Sequence, residues 1–586
     1  MLNDDCKDEP MMRTTEWWRE AVVYQIYPRS FADASADGVG DIAGIRSRIP
    51  YLKDLGIDAV WLSPHYPSPM LDAGYDVSDY RNVDPIFGTL SEIEALINDV
   101  HDAGMRMLID IVPNHTSWDH EWFRDALAHP PVNDPDAPAQ SRYADGPWAR
   151  YHLLRGKDGG TSAPNNWVSV FGGPTWHEVN DENGNPSGWW YLHIFDKSQP
   201  DLDWTNEEVR AEFRGNLRFW FDRGVDGFRI DVAHGLAKAD GYPDCPPLVE
   251  GDPTSKNPYW DQDALHDVWR EWRSVANEYE PQRVFVAEAW VHPAERNARY
   301  LRPDELHTGF NFPFLRAPWN AHRMHEVIDF TMAADAIEDA PTTWVLENHD
   351  VWRAASRYSP LVGKVAEARK ADGNLTLGDE KDWDIPRDLT VGRERARAAL
   401  LNMLALPGTS YIYQGQELGL DEVFGIPAEQ RQDPAFITTN GERVGRDGCR
   451  VPLPWNNNSE SLGFNTGDKS WLPQPEEWKK LAVSEQEGDA DSMLSLTRTA
   501  LKLRKELPAL GGISSGIEPL IWDNALDGLL SYVRPARLGG KAIRVVMNTG
   551  LEPLEIPVSG DVILESRTGG LHNGVLMPDS CVWLWA

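Results

Sequence analysis

Short runs of apolar, β-branched and aromatic residues alternate with amphipathic stretches from about residue 21 to about residue 507. This alternation is typical of a parallel sheet covered by helices. Eight of the runs have the length and composition of buried strands, which predicts an α/β fold with a closed (β/α)8 TIM barrel. The predicted strands are residues 21–28, 59–64, 106–112, 227–231, 284–289, 308–312, 342–348 and 408–413.

The clearest helical pattern between these strands covers residues 91–104, SEIEALINDVHDAG. Ser91 followed three residues later by Glu94 matches a capping box, so we expect the helix to begin at Ser91. Gly104 is a typical stop signal, because glycine adopts the left-handed conformation that ends many helices.

Two regions depart from the alternating pattern. Residues 117–205 are rich in Pro, Gly, Asn and Trp and lack helical periodicity, which predicts a loop-rich domain inserted after the third strand. After about residue 512, short alternating segments such as 528–533 and 541–547 predict a C-terminal antiparallel β-sandwich. The predicted organisation is a tail at 1–16, a barrel at 17–116 and 206–511, the insertion at 117–205 and a β domain at 512–586.

The composition restricts the classes of partner. The 586 residues carry a formal net charge of −36, which repels nucleic-acid backbones and anionic membrane surfaces. We therefore expect no nucleic-acid and no membrane partner, and a small neutral ligand is favoured. The 26 tryptophans suit stacking on sugar rings, although core packing accounts for most of them.

The cysteines and the first residues bear on the compartment. The four cysteines are too scattered for a disulfide framework, and the first ten residues lack the basic and apolar regions of a signal peptide. No apolar run approaches the length of a membrane span. We therefore expect a soluble protein of the reducing cytoplasm, and the sequence leaves open whether it is a monomer or a homodimer.

Acidic residues lie where the predicted strands end. In a barrel the catalytic groups project from the carboxyl ends of the strands, and Asp231, Glu288 and Asp350 each follow such an end. His115 and the pair Tyr75–Asp76 follow two further strands. Any one of these acids could simply cap the next helix. Three carboxylates at one barrel mouth repel each other, so their convergence indicates a functional role or a bound cation.

Two carboxyl groups close together are what retaining glycoside hydrolysis requires. One attacks the anomeric carbon, the other gives a proton to the leaving oxygen and then activates water, and a third can stabilise the oxocarbenium-like charge. Arg229 shares a strand face with Asp231 by the two-residue period, so we expect it to hold that carboxylate ionised.

Several motifs match one enzyme family in its chain order. They are WWREAVVYQIYPRSF at 17–31, DIVPNHTS at 110–117, QPDLDW at 199–204, GFRIDVAH at 227–234, FVAEAW at 285–290, ENHD at 347–350 and GRDGCRVPLPW at 445–455. Together they resemble the α-amylase superfamily (glycoside hydrolase family 13), in its α-glucosidase and oligo-1,6-glucosidase branch. The resemblance runs from about residue 17 to the end of the chain.

The resemblance implies a retaining, exo-acting α-glucosidase that releases glucose from the non-reducing end of short α-glucosides. It implies that Asp231 is the nucleophile, Glu288 the general acid/base and Asp350 the transition-state stabiliser. A family Asp and a late Arg close the pocket over the terminal sugar, and we assign these to Asp76 and to Arg450 in preference to Arg446. The remaining implied substrate contacts are Tyr75, which would stack on the sugar, with His115, Phe171, Arg229, Val232 and His349.

The segment 33–41, DASADGVGD, resembles the metal loop of this branch. Its hard oxygen ligands favour a structural Ca²⁺ or Mg²⁺, and no cofactor is expected for the chemistry itself. Ser35 stands where the family usually has Asn, which weakens the expected binding. The implied ligands are Asp33, Ser35, Asp37, Val39 and Asp41.

Two further positions bear on specificity. In this branch Val after the nucleophile, here Val232, is associated with α-1,6 activity, whereas the following AHGL looks more like that of α-glucosidases acting on maltose. The sequence therefore leaves α-1,4 and α-1,6 preference open. Glu347 replaces a small family residue, and it either raises the pKa of a neighbouring acid or points away.

Two rival functions remain at the level of sequence. A sucrose isomerase, trehalose synthase or transglucosidase would share the fold but pass the glucosyl unit to a sugar, and the Arg-x-Asp-Arg loop of the family isomerases is missing from residues 315–330. An inactive glucosidase-like interaction protein would need broken catalytic acids or a membrane span, and neither is found in the sequence.

Overall fold

The computed structural model describes residues 16–246, 257–362, 385–511, 516–523, 527–556 and 560–586. The predicted tail apart from residue 16, the predicted start of the C-terminal domain at residue 512, and Cys6 lie outside the described residues.

Eight parallel strands form one sheet that curls into a barrel, as predicted. The strands are β1 Val22–Ile26, β2 Ala59–Leu62, β3 Arg106–Ile111, β4 Gly227–Ile230, β5 Val284–Ala287, β6 Thr308–Gly309, β7 Thr343–Val345 and β8 Thr409–Tyr413. Their order in the sheet is β7-β8-β1-β2-β3-β4-β5-β6. Neighbouring strands are therefore consecutive in sequence, except for β8 and β1, the last and the first. Between β6 and β7 the Thr343 hydroxyl donates to the Gly309 carbonyl at 2.6 Å. All eight predicted strands are confirmed.

Helices cover the outside of this barrel, and one of them corrects a sequence expectation. The helix Leu90–Asp102 begins one residue before the predicted cap, and its capping box is formed by Thr89 and Glu92 rather than by Ser91 and Glu94. Thr89 has the extended backbone that a cap requires, whereas Ser91 already lies inside the helix. The predicted stop at Gly104 is confirmed by its left-handed φ of 84°. The other helices are Pro28–Phe31, Ile42–Ser47, Ile49–Leu55, Glu121–Ala128, Glu207–Phe221, Leu265–Ala276, Ala294–Ala298, Phe312–Leu315, Ala321–Ala336, Ala354–Arg357, Leu389–Ala405, Pro434–Thr438, Val483–Gln486 and Met493–Glu506.

The segment between β3 and β4 contains a small antiparallel sheet of three strands, Leu153–Arg155, Pro186–Leu192 and Trp176–Asn180. Within residues 117–205, which were predicted to be loop-rich, the structure also forms the helix Glu121–Ala128, whose two turns are too short to stand out as a periodic pattern. The segment is tied to the barrel by Lys238, whose buried ammonium lies 2.8 Å from Asp201.

The C-terminal residues form two antiparallel sheets of five and three strands. The two predicted segments correspond to the paired strands Leu529–Arg534 and Ile543–Asn548. The exact domain bounds stay a prediction. Among the described residues, no helix combines the length and the apolarity needed to cross a bilayer. The other strands of these sheets are Ile521–Trp522, Leu554–Glu555, Val562–Glu565, Leu571–His572, Val575–Leu576 and Ser580–Trp585.

Candidate active site

The three acids that follow strand ends converge on one cavity. Asp231 comes directly after β4, Glu288 directly after β5, and Asp350 five residues after β7. Because parallel strands of a barrel all end at the same rim, these side chains face a shared space. All three line a cavity of about 1200 Å³ at the carboxyl ends of the strands.

Arg229 holds the first two acids together. Its guanidinium lies 2.7 Å from Asp231 Oδ1 and 2.8 Å from Glu288 Oε2. Burial raises the pKa of Asp231, and the adjacent arginine opposes that rise. Two carboxyl groups on one guanidinium are close enough for the nucleophile and the acid/base of a retaining enzyme.

A fourth acid beneath the site was missed by the sequence reasoning. Asp110 lies on β3 in register with Arg229 on β4, and its Oδ1 is 2.8 Å from Arg229. Its Oδ2 accepts hydrogen bonds from Tyr75 and Trp61 at 3.0 and 3.2 Å. Burial raises the pKa of Asp110 to about 6 although Arg229 lowers it. The available signal was a single acid inside the apolar run RMLIDIV.

Glu288 is oriented by two further donors. The Val232 amide donates to Oε2 at 3.0 Å, and the Trp290 indole donates to Oε1 at 3.0 Å. Val232 adopts φ of 48°, in the left-handed region. For a β-branched residue this conformation costs on the order of 1–3 kcal/mol, and here it places the amide that contacts Glu288.

Asp350 is surrounded by two guanidinium groups and one histidine ring. Arg446 and Arg450 contact its Oδ1 at 3.1 and 2.9 Å, and His349 lies 3.2 Å from its Oδ2. Burial on its own would raise the pKa of Asp350, but the contacts with His349 and the two arginines outweigh it, and the pKa lies well below its usual range. Asp350 is therefore ionised at neutral pH.

The structure corrects the assignment of the acid that closes the pocket. Asp76 is fully buried, and its carboxylate accepts hydrogen bonds from Ser68 and from the backbone of Leu71, so it does not face the cavity. Asp72 lines the cavity instead and lies 2.7 Å from Arg446. The Asp–Arg pair at the cavity is thus Asp72–Arg446, whereas Arg450 contacts Asp350, and which arginine binds the terminal sugar stays a prediction.

The reason for this correction is the turn between β2 and the next helix. Three residues lie between the two acids in LDAGYD, and the sequence alone favoured the acid next to Tyr75. The backbone amides of Leu71 and Asp72 turn towards Asp76, which makes Asp76 the acceptor that fixes the turn and leaves Asp72 free to face the pocket.

The remaining implied sugar contacts are near the same end of the cavity. Tyr75, His115, Phe171 and Val232 line it, whereas His349 stacks behind Tyr75 at 5.2 Å between ring centroids. Burial lowers the pKa of both histidines, so both rings are neutral. A neutral ring has one donor and one acceptor nitrogen, which suits sugar hydroxyl groups.

Aromatic side chains line the opposite end, and the sequence reasoning missed them. Trp290 stacks on Phe312 with 3.5 Å between ring centroids, and the Arg316 guanidinium lies 4.5 Å from the Trp290 ring. All three line the cavity. The available signals were Trp290, two residues after Glu288 in FVAEAW, and the aromatic run FNFPFLR after β6.

Glu347 does not take part in the site. Its Oε1 accepts the Ala354 amide at 2.8 Å and its Oε2 lies 3.5 Å from Arg353, on the side away from the cavity. Burial raises the pKa of Glu347, which Arg353 lowers in part. Of the two alternatives left open by the sequence, the side chain points away.

The loop 33–41 is closed by its own hydrogen bonds. Asp33 accepts from the amides of Ala36 and Gly38, and Asp41 accepts from the amides of Ser35 and Gly44. In the part of the chain that the structure describes, no three His, Cys, Asp or Glu side chains are grouped as metal ligands. The loop offers hard oxygen donors for an ion, but the carboxylates would have to exchange amide contacts for it. The other implied ligands, Asp37 and Val39, are joined by a hydrogen bond from the Val39 amide to the Asp37 carboxylate.

Comparisons with known proteins agree with this geometry. The catalytic-domain model of the α-amylase family matches residues 25–377 and 382–511. An oligo-1,6-glucosidase of Parageobacillus thermoglucosidasius is 33% identical, with 84% of each chain covered. Maltase A2 of Drosophila melanogaster is also 33% identical and covers 97% of this chain and 95% of its own.

Among solved structures, the α-glucosyl transfer enzyme XgtA superposes with a TM-score of 0.79 at 31% identity, covering 97% of this chain and 99% of its own. The matched family model spans most of the chain, and three acids follow its strand ends, two of which share the Arg229 guanidinium. The chain belongs to the α-amylase family of glycoside hydrolases.

Proposed function

We propose that this protein is a retaining, exo-acting α-glucosidase that releases glucose from the non-reducing end of short α-glucosides. The observation that carries the proposal is the pair Asp231 and Glu288 on one guanidinium, in a cavity that the Asp72–Arg446 pair closes at one end. A closed end admits a terminal glucosyl unit and excludes the interior of a long chain.

The chemistry has two balanced steps. In the first step, an Asp231 oxygen bonds to the anomeric carbon while the bond between that carbon and the leaving oxygen breaks. The leaving oxygen takes a proton from Glu288. In the second, Glu288 takes a proton from water, whose oxygen bonds to the anomeric carbon and releases Asp231. Asp350 stays ionised and stabilises the positive charge that develops on the sugar.

The residue beside the nucleophile borders the space that decides the linkage preference, and the two signals there differ, since Val232 is associated with α-1,6 activity and the following AHGL with maltose. Val232 is only 6% exposed and lines the cavity next to Asp231, so its methyl groups bound the space where the second sugar begins. We propose α-1,4 glucosides of the maltose type as substrates, with α-1,6 glucosides of the isomaltose type as the second class. The kcat/KM values for maltose and isomaltose decide between them.

A transglucosidase is the second candidate function. The aromatic pair Trp290–Phe312 offers a platform on which an acceptor sugar could stack in place of water. The similarity to the α-glucosyl transfer enzyme XgtA is in line with this candidate. Transfer products at high substrate concentration, in excess of free glucose, would favour it over hydrolysis.

A product panel tests the proposed function. The enzyme is incubated with maltose, isomaltose, sucrose, trehalose and a p-nitrophenyl α-glucoside, and the products are identified. We expect glucose from maltose or isomaltose, and no product from the Asp231→Asn variant, because this variant lacks the attacking carboxylate. Absence of glucose from every substrate would refute the proposal and favour an inactive, interaction-type protein.

Two further proposals concern an ion and the compartment. We propose that the loop holds a structural Ca²⁺ or Mg²⁺ through Asp33, Ser35, Asp37, Asp41 and the Val39 carbonyl. A Tm unchanged by EDTA would contradict this.

We also propose the cytoplasm as the compartment, which is supported by the free thiols of the three described cysteines. Fractionation of cells that express the protein tests it. These cysteines are Cys245, Cys449 and Cys581.

A further inference from the structure

Arg316 differs from the other arginines at the cavity. It follows the short helix Phe312–Leu315, and its guanidinium lies 4.5 Å from the centre of the Trp290 ring. Its guanidinium makes no hydrogen bond and no ion pair with any residue in the described ranges. The side chain is exposed at the cavity wall, a cation without a carboxylate partner among the described residues, in a protein of net charge −36.

Its arginine neighbours are already occupied. Arg446 contacts Asp72 and Asp350, and Arg296 contacts Asp263 at 2.9 Å. Arg316 lines the cavity with its guanidinium still free to pair with an anion. An anionic group that enters the cavity therefore meets an unpaired guanidinium at Arg316.

The position of Arg316 identifies which part of the substrate it faces. Glu288 must face the oxygen that leaves the anomeric carbon, and Trp290 donates its indole N–H to Glu288 at 3.0 Å. Arg316 lies on the Trp290 ring and hence on the Glu288 side of the cavity, whereas Arg446 pairs Asp72 with Asp350. A group bound to Arg316 belongs to the aglycone, not to the glucosyl unit that is cleaved.

The acids near this end do not compete for Arg316. Asp261 and Asp263 are both paired with Arg296. The carboxyl group of Asp335 accepts the Thr342 hydroxyl at 2.7 Å, and burial raises the pKa of Asp335 to about 7, which weakens its negative charge at neutral pH. The guanidinium is therefore available to an incoming anion.

We propose that the leaving-group end of the pocket takes an aglycone that carries an anionic group, a carboxylate or a phosphate, which Arg316 binds beside the Trp290–Phe312 pair. This inference rests on the proposed α-glucosidase function and narrows its substrate class. Arginine is suited to the task because its planar fork binds both carboxylate and phosphate oxygens in pairs.

Matched substrate pairs test the proposal. One pair is 4-carboxyphenyl α-glucoside and its methyl ester, and the other is maltose with and without a phosphate on O6 of the reducing unit. The kcat/KM ratio of anionic to neutral member is measured for the native enzyme and for Arg316→Gln. Comparing the ratio between enzymes cancels the difference in leaving ability within each pair.

We expect Arg316→Gln to lower this ratio by about tenfold or more in at least one pair, which is the contribution of one charge-assisted contact. Arg316→Lys should retain part of the ratio, since it keeps the charge and loses the fork. The control is Arg443→Gln, which removes the same charge from the same cavity but from a guanidinium that already donates to the Val170 carbonyl at 3.1 Å. This control should leave the ratio within about twofold of native.

Each outcome has one meaning. A fall in the carboxylate pair only, or in the phosphate pair only, supports the proposal and identifies the anion. An unchanged ratio in both pairs, or an equal fall in Arg443→Gln, overturns it while hydrolysis of the neutral members still upholds the α-glucosidase function. If no neutral member is hydrolysed by the native enzyme, the proposed function itself has failed.

Discussion

The two ends of the cavity are built from different interactions. At the closed end, Arg446 joins Asp72 to Asp350, and every charge has a partner within about hydrogen-bonding distance. At the open end, Trp290 stacks on Phe312, and no carboxylate of the described residues pairs with Arg316 on the Trp290 ring. The first arrangement fixes the shape of the glucosyl site, whereas the second leaves the aglycone site to be completed by the substrate.

This difference determines how sensitive each end is to substitution. Removing one partner of a buried ion pair costs about 3–5 kcal/mol, because the remaining charge stays buried without compensation. An aromatic pair contributes only about 0.5–1.5 kcal/mol beyond the area it buries. We therefore expect substitutions at the closed end to affect every substrate, and those at the open end to affect substrates selectively and less strongly.

The largest effect is expected from Arg446→Gln at the closed end. The substitution leaves Asp72 and Asp433 without their shared partner and removes one of the two guanidinium groups on Asp350. We expect kcat/KM to fall by about two orders of magnitude or more on every α-glucoside tested. Steady-state kinetics on aryl glucosides with different aglycones measure this.

Circular dichroism and Tm provide the control for folding, and Arg443→Gln provides the control for loss of charge at the cavity. A loss in Arg446→Gln that depends strongly on the aglycone would contradict the division of the cavity into two ends, because the closed end contacts only the glucosyl unit.

A smaller effect is expected from Asp110→Asn, beneath the junction of the two ends. Asp231 attacks only when ionised, and its pKa is raised by burial and further by the charge of Asp110. Removing that charge lowers the pKa of Asp231, so the acid limb of the kcat/KM profile should move to lower pH by about one unit. An acid limb that stays in place or moves to higher pH would contradict this electrostatic account.

The smallest effect is expected from Trp290→Phe at the open end. This variant keeps an aromatic ring on Phe312 but removes the indole N–H that Glu288 accepts. Glu288 then loses one of the donors that orient it, so kcat/KM at the optimum should fall by about threefold to tenfold. Trp290→His, which restores a ring N–H, is the matched comparison and should recover part of the lost kcat/KM.

The sequence predicted the barrel and its catalytic acids because both depend on local pattern. The barrel strands are buried on both faces and form continuous apolar runs, and Asp231 and Glu288 directly follow two of those runs. The predicted placement of the acids at one mouth then required only the geometry of a parallel barrel.

The remaining site residues depend on contacts between distant segments. Asp72 and Arg446 are 374 residues apart, and the choice between Asp72 and Asp76 was decided by which way a loop turns. Trp290 and Phe312 follow neighbouring strands but meet only through their loops. No periodicity in the sequence reports such pairings.

The central claim is that Asp231 and Glu288 perform a double displacement, so that the released glucose keeps its configuration. Proton NMR of a p-nitrophenyl α-glucoside hydrolysis identifies the anomer that is released first, before mutarotation. The account predicts α-glucose as the first product. If β-glucose is released first, the pair Asp231–Glu288 does not act as nucleophile and acid/base, and the account is contradicted.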